Sequence, residues 1–166
     1  MVTQPELRDK DLVLWTQLLA EVLNVEVLER LSAEHPDVRY AHGFLIQQLV
    51  EGGRPVGEIA ENLGVTSQAV CKTVRELEGL GYVQRAVDAA DGRVRRVALT
   101  ARGRAVLEAG RAIRAEINAE LEAALGEERV TAAATALRDA LAARGAMPAV
   151  AARRLRSAQD LRNEGR

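Results

Sequence analysis

At 166 residues, 48% hydrophobic but only 2% aromatic, the chain is long enough for one domain with a core of Leu, Val, Ile and Ala, or for a smaller module carrying dimerising arms. A single cysteine, Cys71, excludes an intramolecular disulfide; no stretch approaches the ~20 apolar residues of a membrane span, and the polar start lacks the apolar core of a signal peptide, so residence in the cytoplasm is expected. The net charge of −1 argues against a nucleic-acid partner until it is mapped: Lys and Arg number 4 against 9 Asp and Glu over residues 1–53, 9 against 6 over 54–104, and 10 against 9 over 105–166, so the basic surplus is central.

After a polar first ten residues, Asp11 to Ala33 contains no Gly or Pro and reads as one long helix. Its apolar residues, among them Leu12, Val13, Trp15, Leu18, Leu19, Val22, Val25 and Leu28, cover most of the circumference rather than one stripe. Such a helix must be buried on most sides, and so short a chain offers only part of the wall. A second copy supplying the rest, a homodimer, is the expectation; a central helix inside a monomer is the alternative.

His35-Pro36-Asp37 ends that helix, because Pro lacks an amide hydrogen and disfavours helical geometry in the residue before it. Val38 to Val50 predicts a second helix with Val38, Ala41, Leu45 and Leu49 inward and Phe44 and Ile46 free for a neighbour. Gly52 to Pro55 reads as a turn. Val56, Ile59, Ala60 and Leu63 mark a short amphipathic helix stopped by Gly64. Thr66 and Ser67 offer N-cap hydroxyls, and Val70, Val74, Leu77 and Leu80 form the buried stripe of the next helix, about Ser67 to Leu80. Two helices joined by a tight Gly turn make a helix-turn-helix.

The opposite face of its second helix presents Gln68, Cys71, Lys72 and Arg75. Gln and Arg can pair with base edges in a major groove, whereas Lys and the hydroxyls of Thr66 and Ser67 suit phosphate oxygens. From Tyr82 the period becomes extended: Tyr82 to Val87, a polar turn with Asp91-Gly92 at its tip, then Arg93 to Leu99 predict a β-hairpin. Arg93, Arg95 and Arg96 lie on the returning strand. A basic hairpin after a helix-turn-helix is a winged helix, its wing placed to reach phosphates or an adjacent minor groove.

Thr100 is a suitable N-cap for a helix running to about Leu125, where Gly126 ends it, with Val106, Ile113, Ile117, Leu121 and Leu125 on one side. Gly126 to Arg144 repeats the pattern with Val130, Ala134, Leu137 and Leu141, and both helices are expected against the first helix of the same and the partner subunit. Arg153, Arg154, Arg156, Arg162 and Arg166 make the end basic, read either as a weakly amphipathic helix or as a solvated tail. The expected fold is mainly α: a winged helix-turn-helix with a two-stranded β wing over 37–100, flanked by dimerisation helices over 1–36 and 101–146, with a basic tail over 147–166.

The runs LeuGluGlyLeuGlyTyrValGlnArg at 77–85 and AspGlyArgValArgArgValAlaLeuThr at 91–100 resemble the MarR family of bacterial transcriptional regulators, in which an Asp-x-Arg wing precedes a strand ending Leu-Thr and that Thr caps a long helix. The likeness is specific over Pro55 to Gly103 and rests on helix order elsewhere. It implies a homodimer on a palindromic operator in double-stranded DNA, released by a small molecule or by cysteine oxidation. It also implies that Asp91 orients Arg93 toward the minor groove. Many relatives carry Ser or Thr where this chain has Cys71.

Each residue also has a plainer reading. Lys72 and Arg75 could merely keep a helix soluble, but their place on the second helix of a helix-turn-helix favours DNA. Asp91 and Arg93 could pair only with each other across the wing tip; the two roles are compatible. Arg95 and Arg96 alternate in face, and Arg95 is the one assigned to DNA. Oxidation of Cys71 would change charge on the reading face, yet no second cysteine resolves a sulfenic acid and only Lys72 is near to lower its pKa. Trp15 and His42 are the aromatic residues best placed for a cleft that would take a small anionic or phenolic effector; as a core anchor and a surface residue they need no ligand. No His/Cys/Asp cluster has metal-ligand spacing and no nucleophile or phosphate-loop motif occurs, so neither an enzyme, a metal nor a cofactor is expected. The expected function is a repressor of the MarR type; a winged helix used for protein contacts, and a permanent DNA binder without effector, are the rivals.

Overall fold

The computed structural model describes residues 11–87 and 95–151. Its elements run α1 (Leu12–Ser32), α2 (Tyr40–Gln48), β1 (Arg54–Pro55), α3 (Val56–Leu63), α4 (Ser67–Gly79), β2 (Val83–Val87), β3 (Arg95–Leu99), α5 (Ala101–Leu125), α6 (Glu127–Ala143) and α7 (Met147–Ala151). The fold is mainly helical, with a small antiparallel sheet in the order β1-β3-β2. Asp11 caps α1 by accepting from the Leu14 amide at 3.0 Å. Arg54 pairs with Val97 and Val87 with Arg95.

The core is assembled by α2, α3, α4 and the sheet. Leu45, Ile59, Val74, Leu77, Tyr82, Val83 and Val97 are all 2% exposed or less, and Val106 and Leu107 of α5 close it. Packing α5 onto the sheet demands a close approach, and Gly103 permits it. A Cβ there would lie 2.0 Å from the Tyr82 carbonyl oxygen, a backbone atom with little freedom to move. Thr100 fixes the same corner. Its hydroxyl donates to the Gly81 carbonyl (2.7 Å) and accepts from the Gly103 amide (3.1 Å), which is the N-cap bond expected of it.

Three expectations change. The second helix is shorter than Val38–Val50, because Arg39 is extended and the chain turns at Leu49 with an amide bond back to Ile46. Ile46, expected to face a neighbour, is 2% exposed and Ala41, expected inward, faces solvent; the buried stripe is His42, Leu45, Ile46 and Leu49, spaced i, i+3, i+4 and i+7. The Gly52–Pro55 turn supplies a third strand, where Gly53 also accepts a 3.0 Å bond from Arg96 Nη1 through its carbonyl. Pro can occupy this edge because an edge strand leaves some amides unpaired.

The arms behave differently. In α1 only Leu31 is buried, and α6 buries no residue. The α1 and α5 helices pack together and are joined by Arg30, whose two terminal nitrogens reach Glu120 Oε1 and Oε2 at 2.8 and 2.7 Å while Glu26 stands at 2.5 Å. This fork holds the Arg30 pKa above and the Glu120 pKa below their ordinary values, the Arg30–Glu120 hydrogen bonds being the main cause. Glu120 is exposed and Arg30 partly so, and water screens the pair. Within this chain α6 packs on α5.

Candidate nucleic-acid interface

The turn between α3 and α4 is set by Gly64 at φ +65°, left-handed geometry that costs Gly nothing, and by the Val65 amide bonding back to the Ala60 carbonyl at 3.1 Å. Thr66 then starts α4, its Oγ1 accepting from the Ala69 amide at 3.2 Å. From there the two faces of α4 diverge. Val70, Val74 and Leu77 are at most 2% exposed, while Ser67, Gln68, Lys72 and Arg75 face solvent and Cys71 is half-buried at the margin. No hydrogen bond or ion pair among the described residues involves the side chains of Gln68, Lys72 or Arg75.

Fixing the buried face while leaving the polar side chains without protein partners is the arrangement a reading helix requires, since donors already paired would have to be released before meeting a base or phosphate. The strands extend from the C-terminal side of α4. Arg85 on β2 stands 3.4 Å from Glu78 of α4, a half-exposed pair linking strand to helix. Arg95 faces solvent, whereas Arg96 turns back to the Gly53 carbonyl. Asp91 and Arg93 lie outside the described residues, as does the basic stretch from Arg153 onward.

Trp15 and His42 are not brought together. Trp15 sits in the first turn of α1 and is 42% exposed. His42 is 1% exposed, with Nδ1 3.2 Å from the Arg39 amide and Nε2 3.4 Å from Glu76 Oε2 of α4. Neither lines the cleft that α1, α2 and α5 do enclose, of about 210 Å³, whose wall includes Leu28, Leu31, Tyr40, Phe44, Leu107 and Arg114. Periodicity could place the apolar lining residues on their helices but not across from one another.

Two groupings escaped the sequence reading. Arg102, at the start of α5, lies 4.4 Å above the ring of buried Tyr82, meets its hydroxyl at 3.1 Å and donates to the Leu80 carbonyl at 2.9 Å. It thereby fastens α5 to the end of α4. Glu76 is ion-paired with Arg39 as well as facing His42. An acidic residue directly after Arg75 was the available signal, but its partners are 37 and 34 positions away in sequence. No group of three or more potential metal-ligating residues occurs among the described residues. No helix of the described residues is long and apolar enough to cross a membrane.

Comparison with known proteins agrees with this geometry. The MarR family model matches residues 40–94. The solved structure of YusO from Bacillus subtilis is 28% identical, over 82% of this chain and 99% of that one, with a TM-score of 0.61. The transcriptional regulator Tm0710 from Thermotoga maritima is 26% identical over 78% and 92% of the two chains, TM-score 0.58. A mutant of S. aureus MepR bound to an oligodeoxyribonucleotide is 26% identical over 77% and 96%, TM-score 0.54. No curated protein sequence gives a significant match.

Proposed function

With a MarR-family winged helix over residues 40–94 and the fold of that family's transcriptional regulators as the premise, we propose that the chain is a DNA-binding repressor acting as a homodimer on an inverted-repeat operator. The observation that carries this reading is the division of α4, buried on one side and, among the described residues, without hydrogen-bond or ion-pair partners along Gln68, Lys72 and Arg75 on the other. The oligonucleotide bound to the MepR mutant supports it from a relative of the same fold. Gln68 and Arg75 choose bases; Thr66, Ser67, Lys72 and Arg95 hold phosphate or groove, joined by Arg93 with Asp91 as its support.

Dimerisation follows from α1. Leu12, Val13, Leu19 and Val22 are 47–65% exposed in the single chain, and an apolar strip of that kind on a soluble protein marks a contact. Residues 1–36 and 101–146 serve the dimer, 37–100 the DNA, and 147–166 add a basic tail. Two-fold symmetry places the two reading helices in successive major grooves about 34 Å apart. The mainly apolar cleft between α1, α2 and α5, with Arg114 in its wall, is the seat we assign to a small anionic or phenolic effector. A ligand there releases DNA if it favours a dimer shape with the wrong separation. The family's members are regulators, and the chain is read as a non-enzyme of the cytoplasm.

The test is a salt titration of binding to random duplex DNA. A log–log slope of about −0.9 for each phosphate neutralised is expected. A nearly flat response would overturn the DNA reading and favour a winged helix that docks an acidic protein.

A further inference from the structure

Helix α2 lies directly against the reading helix, and one residue of it is chemically out of place. His42 is 1% exposed. An apolar side chain could fill the same space without losing hydration, and a buried imidazole is tolerable only when both nitrogens find partners. Nδ1 has one: it accepts from the Arg39 amide at 3.2 Å. That amide belongs to the residue before α2 and has no partner within the helix, so the ring supplies an N-terminal cap. Accepting at Nδ1 leaves the proton of the neutral ring on Nε2. That nitrogen stands 3.4 Å from Glu76 Oε2.

Glu76 is one of two acidic residues near the C-terminal end of α4, between the Arg75 of the reading face and the buried Leu77. Its carboxylate is also held by the Arg39 guanidinium. Arg39 just before α2 and His42 within it thus approach one carboxylate of α4 from two directions. The apolar stripe of α4 resists lifting the helix off the core but is tolerant of small rotations, because dispersion contacts have little directionality. A carboxylate held between a fixed imidazole and a guanidinium is directional. Lys72 is four residues from Glu76 and Gln68 eight, so a turn of the helix about its axis moves all three together.

We propose that His42 is a positioning residue for DNA reading: through Glu76 it fixes the rotation of α4, and hence the aim of Gln68, Lys72 and Arg75. The proposal rests on the DNA reading given above. Its consequence is selective. Phosphate attraction is forgiving of a small rotation, whereas paired hydrogen bonds to base edges are not, so loss of the grip lowers preference for the operator more than affinity for any duplex.

The experiment uses the full chain, a duplex enriched by the wild-type protein from a random pool, and a shuffled duplex of the same composition. His42→Phe keeps a buried ring and removes both polar contacts. It should lower the enriched-to-shuffled affinity ratio about tenfold, the discrimination that one misaimed base-edge pair carries, with shuffled binding nearly unchanged. His42→Gln, which retains an acceptor and a donor, should restore most of the ratio. Glu76→Gln, at a partly exposed site where folding is secure, should lower the ratio as well, and adding His42→Phe to it should produce little further loss. Long-range proton–nitrogen spectra of the wild type should show the His42 proton on Nε2. An unchanged ratio in Glu76→Gln, losses that simply add, or a proton on Nδ1 would overturn the proposal. A wild-type protein that enriches no duplex would instead remove the DNA reading and this proposal with it, leaving the ring's tautomer to be read independently.

Discussion

In the winged-helix lobe, Leu45, Ile59, Val74, Leu77 and Val97 are at most 1% exposed, whereas along α1 the exposure of seven large apolar residues runs from 41% at Leu18 to 65% at Val13. Both regions are rich in Leu and Val; what differs is whether the chain can cover them itself. The lobe surrounds its own core with three helices and a sheet. The arms present one side of a core and no opposite side. Apolar surface that one copy leaves in water is stabilising only once a second copy covers it, at roughly 25 cal/mol per Å² before the costs of association. On the proposed homodimer the lobe has stability of its own, while the arms have theirs conditionally on protein concentration.

The sharpest way to break this contrast is to charge the arms. Leu19→Asp is expected to weaken self-association by more than a hundredfold, since an unpaired charge placed in a buried contact costs about 3–5 kcal/mol, while the lobe stays folded. Sedimentation of the variant checks this, and a dimer that survives would show that α1 is not the contact. The converse change strikes the junction of lobe and arm. Gly103→Ala forces a methyl group on α5 against the Tyr82 carbonyl oxygen; overpacking of this kind costs about 1–3 kcal/mol, and it should lower the thermal midpoint while leaving the exposed apolar face of α1 unaltered. A similar but smaller loss, about 1 kcal/mol, is expected for Thr100→Ala, which removes the cap at the same corner.

On the reading face the contrast is between kinds of DNA contact. Gln68→Ala should cost about 1–3 kcal/mol of operator preference, whereas Lys72→Ala should weaken binding evenly across sequences and reduce the salt slope by about 1. Competition titrations on enriched and shuffled duplexes separate them, and identical behaviour would dissolve the division of roles. The smallest effect belongs to the surface fork between α1 and α5. Arg30 depresses the Glu120 pKa, so this pair contributes stability above the unfolded carboxylate value, about 4.3, and loses it as pH falls through the lower folded value. The difference in thermal midpoint between wild type and Glu120→Gln should accordingly be small at neutral pH and vanish in acid.

Local chemistry made much of the lobe legible. The Val70, Val74, Leu77 stripe, the Gly64 stop, and the Thr66 and Thr100 caps follow from spacing, φ preference and hydroxyl geometry, all of which act within a few residues. The two-residue strand β1 was not legible, because two residues carry no period and one of them is Pro. The inward face of α2 was hidden for another reason: His42, Leu45, Ile46 and Leu49 keep the helical spacing, but a polar residue opens the stripe.

By itself, then, the sequence determined which long segments are helical, where those ended by Gly64 and Gly126 stop, and that one stretch must present a polar face opposite an apolar stripe, because those properties are settled by neighbours three or four positions apart. Tertiary structure alone decided that His42 faces Glu76 and not a ligand cleft, that Arg96 turns inward to Gly53 while Arg95 stays out, and that Gly103 sits against Tyr82. Those contacts join residues 20 to 40 positions apart or more. Their partners are chosen by how whole elements pack, and no local pattern of hydrophobicity encodes that choice.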